Sequence, residues 1–145
     1  MKRITGTLIL LMTLVCLVSC SDEPDGKWDK MKWDDKSGLI MENGIYLVPA
    51  SGGTYTFKCK NYKHIWIAGI MDNNEHVFPP FCGTGMNEKD FLSYPGEWFE
   101  VNCNKMDLTI SVQPLDNGTA FKNLTVTVTA GDIFDTFSFM QQAEM

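Results

Sequence analysis

Residues 48–70, VPASGGTYTFKCKNYKHIWIAGI, decide the fold of this chain. A Ser-Gly-Gly turn opens a run in which the apolar side chains of Tyr55, Phe57 and Cys59 alternate with threonines and lysines. Alternation with a period of two is typical of a β-strand that has one face in the core and one face in water. The stretch therefore predicts an inward face, an outward face, and a turn at Asn61 to His64 that leaves Tyr62 and His64 available for contact.

The same pattern of short β-rich runs extends over most of the chain. Predicted strands lie at 45–48, 54–60, 65–71, 76–78, 98–103, 108–112, 124–130 and 133–141, and they are separated by turn residues. Almost no segment shows a helical period. The sequence predicts an all-β fold, an immunoglobulin-like antiparallel β-sandwich of about six to eight strands. Trp66 and Trp98 are expected in the cores of the two sheets.

The first twenty residues predict the compartment. Lys2 and Arg3 precede an apolar run that is too short to span a bilayer and that ends in Leu-Val-Ser-Cys. This lipobox pattern predicts a lipoprotein signal peptide, residues 1–19, that is cleaved before Cys20. Cys20 would carry the acyl chains (palmitate among them) and anchor the protein to the outer membrane, at the cell surface or on the periplasmic face. An ordinary secretory signal that happens to contain Cys20 is the alternative.

Residues 20–43 predict a tether and a tryptophan-containing segment before a domain at 44–145. Acidic residues directly after Cys20 are either an address for export to the cell surface or ordinary linker chemistry. Trp28 and Trp33 follow in a charged run. They are expected to fold back onto the domain; an exposed pair that stacks on a sugar is the alternative.

Charge and cysteine content exclude several classes of function. Loss of Lys2 and Arg3 with the signal peptide changes the net charge of −6 to −8, and an acidic chain repels nucleic acid. Cys59 and Cys103 either pair across the sandwich or serve as small buried hydrophobes. No spacing of cysteine and histidine suggests zinc, so we expect neither a metal nor a cofactor.

Several features resemble a known family when they are taken in order. These are Gly52-Gly53-Thr54 at the start of a strand, Trp66, Trp98 followed by Phe99 and Val101, the run LTISVQPLDNGTAFKNLTVTVTAGD at 108–132, and a last strand that ends in Gln141. Together they resemble the BACON family, the Bacteroidetes-associated carbohydrate-binding often N-terminal domains. The resemblance implies an immunoglobulin-like sandwich in a surface or periplasmic protein. Two features depart from the family pattern: Lys122 replaces a common arginine, and the loop at 79–96 is longer than usual.

Catalysis has little support in the sequence. His64 and His76 are the only near-neutral bases, and Cys82 lacks an evident orienting group or oxyanion hole. The Asp-Asn-Asn-Glu run that begins at Asp72 predicts a hairpin turn rather than a calcium loop. We therefore expect no enzyme activity.

The long loop at 79–96 is the best candidate for contact with a ligand, since loops of this length are usually functional. The predicted ligand-binding residues are Tyr62, Phe81, Phe91 and Tyr94, whose aromatic rings suit a sugar or a protein surface. The sequence thus favours a non-catalytic envelope lipoprotein that binds glycan, mucin, or an envelope or host protein. The alternative is a structural accessory subunit that packs on another outer-membrane protein.

Overall fold

The computed structural model describes residues 28–79 and 85–143. These residues form eleven strands: Trp33–Asp35 (β1), Ile40–Glu42 (β2), Ile45–Val48 (β3), Gly53–Cys59 (β4), Trp66–Asp72 (β5), Glu75–Phe78 (β6), Ser93–Pro95 (β7), Phe99–Asn104 (β8), Asp107–Val112 (β9), Phe121–Thr129 (β10) and Phe134–Gln142 (β11). A short 3₁₀ turn covers Glu88–Phe91. The signal peptide, Cys20, the first part of the tether, Phe81 and Cys82 lie outside the described residues.

The strands form two sheets. One has five strands in the order β1-β4-β9-β8-β7, and the other has six in the order β2-β3-β11-β10-β5-β6. All neighbours are antiparallel except β3 and β11, which run parallel. A parallel pair needs a long connection, and here the strands from β4 to β10 lie between the two in the chain. The predicted all-β, immunoglobulin-like sandwich is confirmed. The eight strands of four or more residues follow the predicted runs, whereas β1, β2 and β7 have only three residues each.

The core lies between the inward faces of the two sheets. Tyr55, Phe57 and Cys59 are buried on β4, as the alternation of the opening stretch predicts. From the other sheet, Phe137 places its ring centroid 4.9 Å from that of Phe57, and Phe139 lies 5.9 Å from the same ring. These aromatic side chains supply a large buried area for a domain of this size.

The prediction that Trp66 is a core residue is wrong. On β5 the fully buried positions are Ile67 and Ile70, while Trp66 is half-buried and stacks on His64 with the ring centroids 6.2 Å apart. Ile65, just before the strand, is also buried. Because successive side chains point to opposite faces, a strand that buries Ile65 and Ile67 must place Trp66 on the outer face.

The sheets begin before residue 44, the predicted start of the domain. β1 pairs with β4, and β2 pairs with β3. Met31 is buried, and the Trp33 ring meets Phe137 edge-on at a centroid distance of 4.9 Å. Trp33 also donates its indole N–H to the Asp135 carboxylate at 2.8 Å. Trp33 therefore folds back onto the domain, whereas Trp28 remains 56% exposed.

Turn chemistry fixes the hairpin between β5 and β6. Asn73 and Asn74 have left-handed φ angles of 48° and 68°, which suit a two-residue hairpin turn. Asn73 also accepts the backbone N–H of Asn123 at 2.9 Å through its side-chain oxygen. The predicted hairpin is confirmed.

Cys59 and Cys103 are both buried, and they are not joined. They lie in the same sheet, on β4 and β8, with β9 between them. Two strand spacings amount to about 9.6 Å, which exceeds the separation of about 7 Å that a disulfide can bridge. The pairing across the sandwich that the sequence left open is therefore wrong, and the two thiols act as small buried hydrophobes.

Candidate functional site

Two of the predicted binding residues, Phe91 and Tyr94, come together around Phe78. The Phe78 ring centroid lies 5.7 Å from that of Phe91 and 5.6 Å from that of Tyr94, and both contacts are edge-to-face. Tyr94 also stacks on the buried Phe99 at 6.0 Å. Phe91 and Tyr94 are half-buried, so much of their ring surface is already used in packing against the sandwich.

Tyr62 lies in a different loop, between β4 and β5. Its hydroxyl donates a hydrogen bond to the backbone carbonyl of Asp29. The neighbouring Asn61 binds the same segment: its side-chain amide donates to the carbonyl of Lys30 at 3.0 Å, and its oxygen accepts from the N–H of Lys32 at 2.9 Å. Tyr62 thus fastens the N-terminal segment to the sandwich. The fourth predicted residue, Phe81, lies outside the described residues.

Trp98 is buried, as the sequence predicts, and it also joins the two sheets. Its indole N–H donates to the carboxylate of Asp72 on β5 at 2.9 Å. Lys122, the position at which the BACON pattern commonly has arginine, places its ammonium 5.3 Å from the centre of the Trp98 ring. The same ammonium forms an ion pair with Asp116 at 2.8 Å. The cation–π contact and the ion pair both hold Lys122 against the core edge.

An open cleft of about 320 Å³, which the sequence does not predict, lies on the outer face of the five-stranded sheet. Its lining comes from β4, β7, β8, β9 and the turns beside them: Gly53, Thr54, Pro95, Gly96, Phe99, Glu100, Ser111, Val112 and Gln113. The volume is at the lower end of the range of about 300–1,000 Å³ that is usual for small-molecule sites.

The polar groups of the cleft include one pair across neighbouring strands and one carboxylate that is held by a residue of its own strand, β8. The hydroxyls of Thr54 and Ser111 lie 3.1 Å apart, and the Glu100 carboxylate accepts the side-chain amide N–H of Asn102 at 2.9 Å. Each hydroxyl keeps acceptor capacity beyond this contact, and the carboxylate has a second oxygen. These groups can therefore accept and donate several further hydrogen bonds to a ligand.

Two glycines allow the walls of the cleft to form. A Cβ atom on Gly96 would lie 2.6 Å from the Phe99 ring, and one on Gly52 would lie 2.2 Å from the carbonyl oxygen of Val112. Both separations are far shorter than any ordinary contact. Gly96 therefore lets the end of β7 rest directly on Phe99, and Gly52 lets the turn before β4 rest on the end of β9.

The buried side-chain amide of Gln141 is bonded to the backbone beside the cleft. Gln141 on β11 is 1% exposed, and its side-chain N–H groups point to the carbonyls of Gln113 at 2.9 Å, Pro49 at 3.1 Å and Ala50 at 3.3 Å. This single side chain connects the six-stranded sheet to the end of β9 and to the turn between β3 and β4. It fixes Gln113, which lines the cleft.

The described residues outside the cleft offer little reactive chemistry. In residues 28–79 and 85–143, no group of three or more His, Cys, Asp and Glu side chains could hold a metal ion. Burial raises the pKa of the Cys103 thiol to about 12, which keeps it protonated and unreactive. The imidazole of His76 lies 3.0 Å from the carbonyl oxygen of Pro79. The same part of the chain contains no helix long and apolar enough to cross a membrane.

Comparison with known proteins informs the fold and the family of this chain. No family model matches this chain, and no curated protein matches it significantly. Among solved structures, it is similar to an NMR structure of a protein from Bacteroides thetaiotaomicron. The two are 32% identical, the match covers 84% of this chain and 94% of that one, and the TM-score is 0.65. The match does not bear on the BACON resemblance, which stays a prediction. At this identity and coverage, the chain belongs to the same family as the Bacteroides thetaiotaomicron protein.

Proposed function

We propose that the protein is a non-catalytic lipoprotein of the cell envelope whose sandwich domain binds a glycan, including mucin glycans, or a protein of the envelope or host. Cys20 would carry the lipid that holds it on the outer membrane. In this proposal the sandwich is a rigid support, and the binding groups stand on its outer face and on the adjoining loop.

The observation that carries the proposal is the cleft between Thr54 and Pro95. It meets the C-terminal end of the 79–96 loop, because Pro95 and Gly96 form one wall. Tyr94 does not line the cleft itself; it stacks on Phe99, which does. The 79–96 loop that the sequence indicates thus remains part of the proposed site, but its aromatic residues do not contact the ligand. Phe91 and Tyr94 position the wall of the cleft, and the ligand contacts the cleft itself.

A glycan array and a pull-down from envelope extracts test this proposal with two matched variants. Ser111→Trp fills the cleft, while Ser138→Trp places the same ring on the outer face of the other sheet. We expect binding by the wild type and by Ser138→Trp and its loss in Ser111→Trp, with circular dichroism showing that both variants are folded. Blank results for the wild type in both assays would contradict the proposal.

The lipid anchor has a separate test. Cys20→Ser should abolish incorporation of labelled palmitate and move the protein from the membrane fraction to the soluble fraction. An unchanged distribution between the two fractions would contradict anchoring at this residue. Protease treatment of intact cells then distinguishes the cell surface from the periplasmic face, because only a surface protein is cleaved.

A second candidate function, an accessory subunit on another outer-membrane protein, is favoured by one corner of the six-stranded sheet. Ile40, Ile45, Leu47, Phe121 and Met140 lie together on its outer face, through the pairing of β2, β3, β11 and β10. Ile40 is 68% exposed and Phe121 is 56% exposed. A cluster of exposed apolar side chains of this kind is typical of a surface that another protein covers.

The matched variants separate the two functions. A subunit held through this corner should be crosslinked to one constant partner in cells, and Ser138→Trp or Ile40→Lys should abolish the crosslink. In that case Ser111→Trp would have no effect. Recovery of a monomer without any crosslinked partner would contradict the accessory role.

A further inference from the structure

We propose that the cleft binds a single uncharged pyranose ring and that Glu100 makes it reject acidic sugars. This inference rests on the proposed function, because it names the ligand class for the same cleft.

The charge of the lining excludes anionic ligands. Glu100 is the one ionisable residue among the nine that line the cleft, and Glu97 stands exposed in the adjoining turn. On the same outward face of β4, Lys58 is four residues from Thr54, which corresponds to roughly 13 Å at the usual rise of a strand. A sulfate, phosphate or uronic-acid carboxylate would therefore meet the Glu100 carboxylate with no cation among the residues that line the cleft.

The hydrogen-bonding groups suit a ligand that carries neighbouring hydroxyls. The second oxygen of Glu100 and the Thr54–Ser111 hydroxyl pair lie on adjacent strands, since Glu100 pairs with Ser111 and Ser111 with Thr54. A carboxylate accepts hydroxyl protons in short, strong hydrogen bonds, whereas a serine or threonine hydroxyl can donate or accept. These three polar groups form one row across β4, β9 and β8, so they can bond to several hydroxyls of one ligand.

The apolar part of the lining and the size limit the ligand to one ring. Pro95 presents an exposed pyrrolidine ring beside the polar row, and this can cover the C–H face of a sugar. A volume of about 320 Å³ suits one pyranose with its bound water. The cleft would thus hold a terminal residue of a glycan and not a long internal segment.

The proposed rejection of acidic sugars by Glu100, here called the charge rule, can be tested with small methyl glycosides. The probes are methyl glucoside, methyl galactoside and methyl N-acetylglucosaminide, together with methyl glucuronide and methyl galacturonide, which differ from the first two only at the sixth carbon. Saturation-transfer NMR with the detergent-solubilised mature protein measures binding, and cadaverine serves as a cationic probe of similar size. We expect at least one neutral glycoside to bind, and its acidic counterpart to bind at least ten-fold more weakly, as an unpaired charge next to Glu100 requires.

Glu100→Gln keeps the shape of the side chain and removes its charge. We expect this variant to bind the neutral glycoside about five-fold more weakly, because a neutral acceptor makes a weaker hydrogen bond than a charged one. Its preference for the neutral glycoside over the acidic one should also nearly disappear. Glu42→Gln, on the exposed edge strand of the other sheet, is the matched control and should behave as the wild type.

The outcomes separate this inference from the proposed function. If the acidic and neutral glycosides bind equally, or Glu100→Gln leaves the preference intact, the charge rule is wrong while the cleft remains a binding site. Tighter binding of cadaverine than of every glycoside would overturn the sugar assignment in favour of a cationic ligand. If all these probes, the array and the pull-down are blank, the proposed function fails together with the inference.

Discussion

Replacement of Gln141 by glutamate tests whether one buried amide holds the two sheets and the cleft in register. In the wild type its N–H groups face three carbonyls, while its own oxygen has no hydrogen-bond partner in the described structure. The amide therefore acts as a donor only. Glutamate has almost the same shape, but its ionised form replaces that donor with a second acceptor.

The magnitude follows from the other partners of the three carbonyls. Pro49 and Ala50 keep a backbone donor each, from Gly52 at 2.9 Å and Leu115 at 2.7 Å. The carbonyl of Gln113 would lose its side-chain donor, and a partly buried carbonyl without a partner costs about 1–3 kcal/mol. An ionised carboxylate beside the carbonyls raises the total to about 3–5 kcal/mol, which is comparable to the cost of an unpaired buried charge.

The free energy of unfolding of Gln141→Glu should also depend on pH. Burial beside carbonyl oxygens would raise the pKa of the new carboxyl in the folded state above its unfolded value of about 4.3. A raised pKa means that the stability is present below the unfolded pKa and is lost as the pH rises through the folded one. At about pH 4 the protonated carboxyl can still donate to Gln113, so the loss should be only about 1–2 kcal/mol.

Urea unfolding monitored by tryptophan fluorescence at acidic and alkaline pH measures both quantities. The matched control is Gln142→Glu, which makes the same chemical change at the next, exposed residue and should alter the free energy of unfolding by less than about 0.5 kcal/mol. An equal loss at both pH values, or a loss no larger than that of the control, would show that Gln141 does not donate to Gln113 as the structure indicates.

Two further predictions concern backbone strain and alkaline pH. Gly52→Ala should lower the free energy of unfolding by roughly 3–4 kcal/mol, because the new Cβ would lie 2.2 Å from a backbone carbonyl. Gly118→Ala, also at a left-handed φ but with no atom within 4 Å, should cost only about 1 kcal/mol in the same urea assay. Burial, followed by the Asp35 carboxylate, raises the pKa of Tyr46 to about 12. Since the unfolded value is about 10, this contribution to stability is complete below about pH 10 and is lost as the pH rises toward 12; Tyr46→Phe should show a shallower loss in thermal melts over that range.

Strand positions could be predicted from the sequence because the inward faces alternate clearly. The run from Tyr55 to Cys59 and the run from Leu124 to Val128 both bury every second side chain, as expected. The core position that the family resemblance favours for Trp66 is wrong, because alternation with the buried Ile65 and Ile67 places Trp66 on the outer face. β1, β2 and β7 could not be found, because three residues are too few to show any period.

The aromatic residues of the candidate site show a different limit. An aromatic side chain in a loop is either a contact for a ligand or an anchor for the loop, and composition does not distinguish the two. Phe91 and Tyr94 became anchors because Phe78, which precedes them by more than a dozen residues, offers an apolar partner at the sheet edge. Tyr62 became an anchor because the carbonyl of Asp29 lies within reach of its hydroxyl.

The cleft could not be predicted for a reason that also explains its composition. The alternation of side chains along each strand places Thr54, Glu100 and Ser111 on outward faces. Whether these three residues are close to one another depends on how β4, β8 and β9 are paired. Thr54 and Ser111 are 57 positions apart in the chain and are brought together by the register of β4 against β9. That register is fixed on the inward side, where Tyr55 pairs with Ile110 and both are buried. The core therefore sets the geometry of the polar row without contacting a ligand, and the row can vary as long as the inward pairs are kept. Changes at Thr54, Glu100 or Ser111 should accordingly alter ligand preference with little effect on folding, whereas a change at Gln141 should alter both.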